Sequence, residues 1–414
     1  MAVSAAHVTI LVANLPAERD RRVIRECLSL ERAGFEVTVI APRGDRSLRI
    51  LPGSRSTRLR PYPVPVYGSG ILSFAFEFLW SFSCIAVRLL GEVLAGRAQA
   101  VQVCNPPDVY WPLALLMRAL GRPWVFDHHD LCNEVYATRT QGNPKRTVYR
   151  LLEMFEWLTM RTASYVFSTN QSFRDIALKR GMKPEKVTVV RNGPATTEIK
   201  AARNPGEDVK LVVYLGVLGP QDNVRGAVLA AEELAHLRGR GGWRMVIAGD
   251  GEELANLKEL ATQRNLNDIV EFPGWLGPKD VDDLLSRATC AIQPDLATPM
   301  NQLSTMAKTV EYVARGVPVV AVDLLETRRT AEDAALYVAT GDPAEFAKAL
   351  DELLRDETKR AEMSAVGLER FETVLAWEHQ AAAYIEVWKR LLRKKIEMPT
   401  QRGSKQDTPQ KAGL

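Results

Sequence analysis

Short runs of Val, Ile, Leu and Phe alternate with longer segments of helical period along nearly the whole chain. In the first half this pattern predicts strands at His7–Asn14, Glu36–Ala41, Ala100–Cys104, Trp124–Asp127, Tyr165–Thr169 and Val187–Arg191. Helix-period segments at Glu18–Ala33, Asp108–Leu120 and Lys145–Thr162 lie between several of them. In the second half, strands are predicted at Leu211–Leu215, Met245–Ala248, Val270–Phe272, Cys290–Gln293 and Val317–Val322, again with helices between. Such alternation builds parallel sheets covered by helices on both faces. The fold class is therefore α/β: two Rossmann-like, doubly wound parallel-sheet domains facing across a cleft. The Pro/Gly/Ala-containing stretch Gly193–Glu207 divides them, giving domains over 1–193 and 194–376. A helix over 377–397 is expected to pack back toward the first domain, and the polar tail 398–414 to be disordered.

Two features interrupt the alternation. Arg55–Tyr67 is rich in Arg and Pro and must be extended or looping. Ile71–Val87 follows it, an apolar run with Phe74, Phe76, Phe78, Trp80 and Phe82. A membrane span needs about 20 nearly uncharged residues, and this run carries Glu77 and three serines. It does not span. Two readings stay open: a core helix with an aromatic stripe, which is favoured, or an apolar helix over 71–95 dipping into a membrane face beside the arginines.

Composition narrows the picture further. The chain has 414 residues, 46% apolar and 25% charged, the ordinary globular mix. Its net charge of +4 conceals an asymmetry: residues 1–195 hold 26 Lys/Arg against 16 Asp/Glu, and the remainder 28 against 34. A basic first half suits an anionic ligand or a lipid surface, or is simply a solvated Arg-rich surface. The five cysteines are widely spaced with no CxxC pair, which argues against a disulfide framework or a zinc knuckle. With no basic segment followed by an apolar run at the start, the expected location is cytoplasmic. The basic residues of the first half are dispersed and lack a recognition motif, so no nucleic acid is expected as a partner.

The candidate chemistry lies in the second half. No GxxxxGK[ST] and no GxSxG occurs. The run Val212–Leu215 enters Gly216-Val-Leu-Gly219, with a helix expected from about Arg225, and Met245–Ala248 enters Gly249-Asp-Gly251. Glycine turns at the ends of strands let backbone N–H groups and a helix N-terminus meet a phosphate. Ser304 or Thr305 can cap a helix running to Arg315, with Gly316 as its stop. Lys308 and Glu311 share one face of it. Lys308 can offer a cation to a diphosphate and Glu311 can accept from ribose hydroxyls; a surface Lys–Glu pair without a ligand is the alternative.

Taken together these residues resemble the family 4 glycosyltransferases of the GT-B superfamily, retaining enzymes that use nucleotide sugars. The resemblance rests on Lys308, the Glu311-Tyr-Val-Ala-Arg-Gly-Val-Pro-Val-Val run, the Gly216 turn and Gly249-Asp-Gly251. It extends to Asp20-Arg-Arg22 before Gly34-Phe-Glu-Val, Asn105-Pro-Pro-Asp108, Phe126-Asp-His-His129-Asp130 and Val190-Arg-Asn192-Gly193. It covers about residues 7–390. It implies that Glu311 holds the ribose and that a carboxylate stands eight positions earlier. Leu303 occupies that position, so Asp295 or Asn301 is the substitute. Arg225 and Lys308 are the cations left near the first glycine turn. The resemblance also implies that His129 lies near the acceptor with Asp130 fixing its tautomer. Asp20, Arg22, Asn105 and His128 would lie on the acceptor side, where capping and salt bridging are equally open to Asp20 and Arg22. Neighbours on a strand point to opposite faces, so His128 and His129 cannot bind one metal. Asp280-Val-Asp282 reads as first-turn acids of a helix, not a metal site.

The function expected is metal-independent, retaining transfer of a sugar from a nucleoside-diphosphate sugar to a glycan, lipid-linked or small-molecule acceptor, as in polysaccharide biosynthesis. The nucleotide sugar is a co-substrate, and no cofactor is expected. Two alternatives stay open: a catalytically impaired subunit supporting a partner, and a nucleotide-sugar epimerase of the same fold.

Overall fold

The computed structural model describes residues 6–64, 71–140, 143–205 and 208–396. The tail 398–414, and residues 65–67 of the Arg/Pro-rich stretch, lie outside the described residues. Seven strands form the first sheet: β1 His7–Leu11, β2 Glu36–Ile40, β3 Arg58–Leu59, β4 Ala100–Cys104, β5 Trp124–His128, β6 Tyr165–Ser168 and β7 Val187–Val189. Their order is β3-β2-β1-β4-β5-β6-β7, parallel throughout. Six form the second: β8 Lys210–Leu215, β9 Trp243–Ala248, β10 Val270–Gly274, β11 Cys290–Gln293, β12 Val319–Val322 and β13 Ala335–Val338. Their order is β10-β9-β8-β11-β12-β13, again parallel. The doubly wound reading stands, with β3 and β13 as additions. Both are edge strands. One is two residues long in an Arg-rich stretch and the other is Ala-Leu-Tyr-Val, so neither offers a strong apolar run.

Central strands such as β1, β4 and β5 are buried at every position, as strands covered on both faces must be. Each sheet has apolar core on both sides. One side of the first sheet is completed from the far end of the chain. The helix Trp377–Ile396 sets Trp377, Tyr384 and Trp388 against Val8, Ile10, Val125 and Phe167. Its entry is tight: the Trp377 N–H donates to the Pro194 carbonyl at 3.0 Å, and a Cβ on Gly193 would lie 1.9 Å from the Leu375 carbonyl oxygen. Only glycine fits there, because the two chain crossings between the sheets touch backbone to backbone.

The apolar run after Arg55–Tyr67 becomes a helix over Ile71–Leu94, longer than the run itself. Ile85 and Leu89 sit in the core and Phe82 stacks on Tyr110 at 5.8 Å. Among the described residues nothing covers its opposite face, so the core-helix reading holds for one side alone. Among the described residues no helix is long and apolar enough to cross a membrane.

Candidate functional site

Strand order reverses between β1 and β4 in one sheet and between β8 and β11 in the other. At such a switch the flanking loops part and leave a crevice at the carboxyl ends of the strands. The carboxyl ends of the two sheets face each other. Asn170, after β6, donates through Nδ2 to the Leu303 carbonyl at 2.8 Å and to Thr305 Oγ1 at 3.2 Å. Arg21 reaches within 3.8 Å of Glu311. Ser172 donates through its N–H and hydroxyl to Glu326 Oε1 at 3.0 and 2.7 Å.

Lys308 is the centre of the second-sheet side. It opens the helix Ala307–Ala314, and its stem lies against Gly216, where a Cβ would be 3.2 Å from Lys308 Cε. The ammonium donates to Asp295 Oδ1 at 2.9 Å, Asp222 Oδ1 at 3.1 Å and the Tyr214 hydroxyl at 3.1 Å. Burial works to lower the pKa of this ammonium, but Asp295 and Asp222 outweigh it and the net direction is up. Burial also pushes the Asp295 carboxyl up, against the pull of Lys308. With two carboxylates and a phenol around one ammonium, the charged lysine is the state the geometry enforces. Tyr214 and Asp222 are partners the sequence reading did not name, since pattern shows the loop but not where its side chains converge.

The glycine turns are locked into one another. The Gly216 N–H donates to Ala248 O at 3.0 Å, Leu218 N–H to Asp250 O at 3.0 Å, and Gly249 N–H to Gly274 O at 2.9 Å. A Cβ on Gly249 would lie 1.8 Å from the Gly216 carbonyl oxygen. These N–H groups therefore hold the loops together. The helix expected from Arg225 starts at Val224, after Asn223 in the left-handed conformation at φ 48°. Arg225 is exposed on its first turn.

Glu311 accepts from Arg315 Nη1 at 2.6 Å, and Arg315 Nε donates to Asp282 Oδ1 at 2.9 Å. Asp282 also accepts from the Lys200 and Ala201 N–H groups at 3.0 and 2.7 Å, so it secures the interdomain linker. Asp280 lies in the first turn of the helix Pro278–Arg287. The expected cap by Ser304 or Thr305 is not found. Met306 precedes Ala307 without a side-chain cap, because the Ser304 hydroxyl donates to Met300 O at 2.8 Å and Thr305 meets Asn170. Asn301 is buried and braces its own turn through Nδ2 to Leu296 O at 2.9 Å. Gly316 ends the helix at φ 63° as expected.

Across the cleft, Asp127 at the end of β5 organises the first-sheet side. Arg22 grips it in a fork, Nε to Oδ2 at 3.0 Å and Nη2 to Oδ1 at 2.7 Å. The same guanidinium donates to Val190 O at 2.7 Å and Asn192 Oδ1 at 2.8 Å, and Glu26 lies 3.0 Å away. Gln102 donates to Glu26 and Asp127 at 2.6 and 3.1 Å, and accepts from the Tyr384 hydroxyl at 2.6 Å. Burial would raise the Asp127 carboxyl, but Arg22 and His129 hold it well below the carboxylate range; burial and Asp127 push Glu26 up instead. Asp20 caps the helix Arg21–Arg32, accepting from the Arg22 and Val23 N–H groups at 3.1 Å each. Capping and salt bridging are thus what Asp20 and Arg22 do here.

Asp127 also bonds His129 Nε2 at 2.6 Å and so orients a ring whose side chain is 13% exposed at the cleft. Asn105 shapes the backbone around it. Its Oδ1 accepts from the His129 and Asp130 N–H groups at 2.5 and 3.1 Å, and its Nδ2 donates to Asp130 O at 2.6 Å. His128 is a correction. It is fully buried between Phe126 and Phe173, with ring centroids 5.3 and 4.8 Å away, and has no surface to offer an acceptor. The strand alternation that turns His129 to the cleft sends His128 under the helix Gln171–Lys179. Cys104, Asp127 and His129 bring possible metal-binding atoms within 4.8 Å of one another. Yet Arg22 covers both Asp127 oxygens, and burial pushes the Cys104 thiol well up, which disfavours a cation there.

Residues 20–193 match the family model described as glycosyl transferase 4-like domain, and residues 195–370 the one described as glycosyl transferases group 1. A glycogen synthase of Mycobacterium tuberculosis is 24% identical over 256 residues, 61% of this chain and 58% of that protein, so the chain matches less than two thirds of that relative's length. Among solved structures, sucrose-phosphate synthase from Thermosynechococcus elongatus superposes with a TM-score of 0.71 at 16% identity, covering 94% of this chain and 100% of the other. The HepE protein of Anabaena, solved in complex with UDP, gives 0.69 at 15% identity over 93% and 100%. Two parallel-sheet domains, their facing strand ends and both family models lead to one assignment: the chain belongs to the family 4-like glycosyltransferases of GT-B fold.

Proposed function

We propose that the protein is a retaining glycosyltransferase that moves a sugar from a nucleoside-diphosphate sugar to a glycan or lipid-linked acceptor. The observation that carries this reading is the placement of Lys308 against the Gly216 turn at the β8/β11 switch, on the side that meets the first sheet through Asn170 and Thr305. The diphosphate lies over Gly216–Gly219 and Gly249–Gly251, with Lys308 as its cation and Glu311 at the ribose hydroxyls. Negative charge develops on the departing diphosphate, and a preorganised cation in a partly desolvated cleft stabilises that change. Tyr214, Asp222 and Asp295 fix the position of its ammonium, so Lys308 meets the diphosphate by exchanging one of its carboxylate bonds for a phosphate oxygen. His129, held by Asp127, faces the acceptor, with Asp130 beside it. Lys308 and Arg225 meet the leaving-group charge, and the reaction proceeds without a metal. The place is the cytoplasmic side, in polysaccharide biosynthesis, with the helix 71–94 resting peripherally on a membrane that carries the acceptor.

The test is thermal stability with UDP, GDP, dTDP and CDP, then with the sugar forms of any that bind. A ligand at about 100 times its Kd adds about 2.7 kcal/mol to the folded state. One nucleotide that stabilises the wild type but not Glu311→Ala supports the assignment; no shift with any of them overturns it. A second reading is favoured by Leu303, which stands where the family's first acid belongs and gives its carbonyl to Asn170. On that reading the protein binds a nucleotide sugar only to support a partner, and turnover of any donor by the purified chain excludes it.

A further inference from the structure

The helix Ile71–Leu94 is apolar on two opposite faces, yet the described residues cover only one. Ser81, Ile85 and Leu89 are buried. On the other side Leu79, Val87, Leu90 and Leu94 are 62, 69, 44 and 88% exposed. They follow each other at helical spacing, with Ser83 between Leu79 and Val87, and fall within an arc of about 80° at 3.6 residues per turn. Ser83 turns its hydroxyl onto the Leu79 carbonyl at 2.8 Å, which removes the one polar interruption of the stripe. A soluble monomer seldom leaves such a continuous apolar ridge uncovered without a partner for it.

Beside the ridge lies a cavity of about 790 Å3, and Val87 lines both. Its walls carry Arg43, Arg46, Arg49, Arg60 and Arg88, with Glu92 the only acid among its lining residues. Glu92 is buried and shared between Arg60 at 2.9 Å and Arg97 at 2.6 Å, which leaves it little charge to offer the cavity. Arg88 donates to the Pro61 and Cys84 carbonyls, and Arg49 to the carbonyls of Arg46 and Leu48. Among the described residues, Arg43, Arg46, Arg49 and Arg88 have no carboxylate partner. Asp45 is close by, but it is bonded to Ser47. The arginines without a carboxylate partner thus lend this pocket a positive field, immediately next to an apolar ridge.

We propose that this pocket receives the phosphate headgroup of an anionic phospholipid while the ridge from Leu79 to Leu94 rests among its acyl chains. The inference deepens the peripheral-membrane part of the reading above, and turns a general contact into a headgroup site. Charge complementarity selects the occupant: planar guanidinium groups suit phosphate oxygens, and apolar side chains set beside them suit an interface in which charge and hydrocarbon adjoin. The polarity of the contact is also fixed. Both the ridge and the pocket belong to the first domain, so the second domain and its Lys308 cleft remain free to exchange nucleotide.

The experiment is co-sedimentation of the full chain with vesicles of phosphatidylcholine alone and with 30% phosphatidylglycerol (roughly the anionic load at which surface potentials act on polybasic segments). Binding is expected only with the anionic lipid, and is expected to weaken as salt is raised. Arg46→Glu with Arg49→Glu, both exposed, should reduce binding about tenfold or more, and Leu79→Ser with Val87→Ser should release the protein even at low salt. Both variants should keep the wild-type melting temperature and nucleotide shift. Undiminished vesicle binding by the arginine variant overturns the headgroup site. So does equal binding to neutral vesicles. A thermal shift with inorganic phosphate but no vesicle binding makes the pocket a site for a soluble phosphate and overturns the lipid. If vesicles bind but no nucleotide does, the transferase reading fails and this one survives; the reverse outcome separates them the other way.

Discussion

At the scale of single residues the molecule keeps charge in its interior, and the two buried cations at the site are answered by carboxylates from elsewhere in the fold. Lys308 has Asp295 and Asp222, and Arg22 has Asp127. Lys308→Met leaves Asp295 buried without its cation, which typically costs about 3–5 kcal/mol. Donor turnover should fall about 100- to 1,000-fold with it. Adding Asp295→Asn is expected to restore much of the stability and none of the turnover; recovery of both in the double variant would mean that Lys308 serves only the fold. Two other buried groups act on pH dependence in opposite senses. Burial, with Glu156 adding to it, pushes Asp108 up to about 7 from an ordinary 3.8. Burial and the neighbouring His129 push His128 down to about 3 from 6.5. Between the two Asp108 values the unfolded chain has lost a proton that the folded chain keeps, so this group removes stability as pH rises. His128 does the reverse between about 3 and 6.5, where the unfolded chain binds the extra proton. Asp108→Asn deletes the first slope alone. Its stability relative to wild type should climb by roughly 1.4 kcal/mol per pH unit from about pH 4 to 7 and then level off. Urea titrations at pH 4.5, 6, 7 and 8 measure this directly (spanning roughly that window), and a difference independent of pH would show Asp108 ionised in the fold.

At the scale of elements the two glycine turns and the final helix do the structural coupling. The turns after β8 and β9 interlock through backbone bonds, so the donor side is one rigid rim. The helix Trp377–Ile396 is an essential part of the first domain's core although it follows the second domain in sequence. Tyr384 extends this to the polar interior, where its hydroxyl orients Gln102 and through it Glu26 and Asp127. Truncation after Ala376 should therefore unfold the first domain, not the second. Amide exchange is the measurement: protection should be lost in β1, β5 and β6 and kept in β8, β9 and β12. Equal loss in both sheets would mean that the helix stabilises the particle as a whole.

At the scale of the whole molecule the facing strand ends are held by a small set of polar contacts, Asn170 to Leu303 and Thr305, Ser172 to Glu326, and Arg21 to Glu311. Interfaces of this kind between domains are weak enough to open. Asn170→Ala with Ser172→Ala should increase the radius of gyration in solution scattering and leave each domain's unfolding transition in place; an unchanged radius would assign the domain arrangement to the linker crossing at Gly193 and Leu375. Periodicity alone determined the alternation of strands and helices, the two parallel sheets and the stop at Gly316, because burial on both faces and a left-handed turn each leave a local trace. It also placed Lys308 and Glu311 on one helix. What surrounds them was decided by the tertiary structure. Asp222 and Tyr214 converge on Lys308 from other elements, Asp127 joins the neighbouring Glu26 on Arg22, and His128 is lost to the core while His129 reaches the cleft. The same holds for the helix 71–94, whose two apolar faces look alike in sequence, although among the described residues only one is buried. Local patterns record which side chains avoid water; which partner each one meets depends on how distant segments pack, and that information is not local.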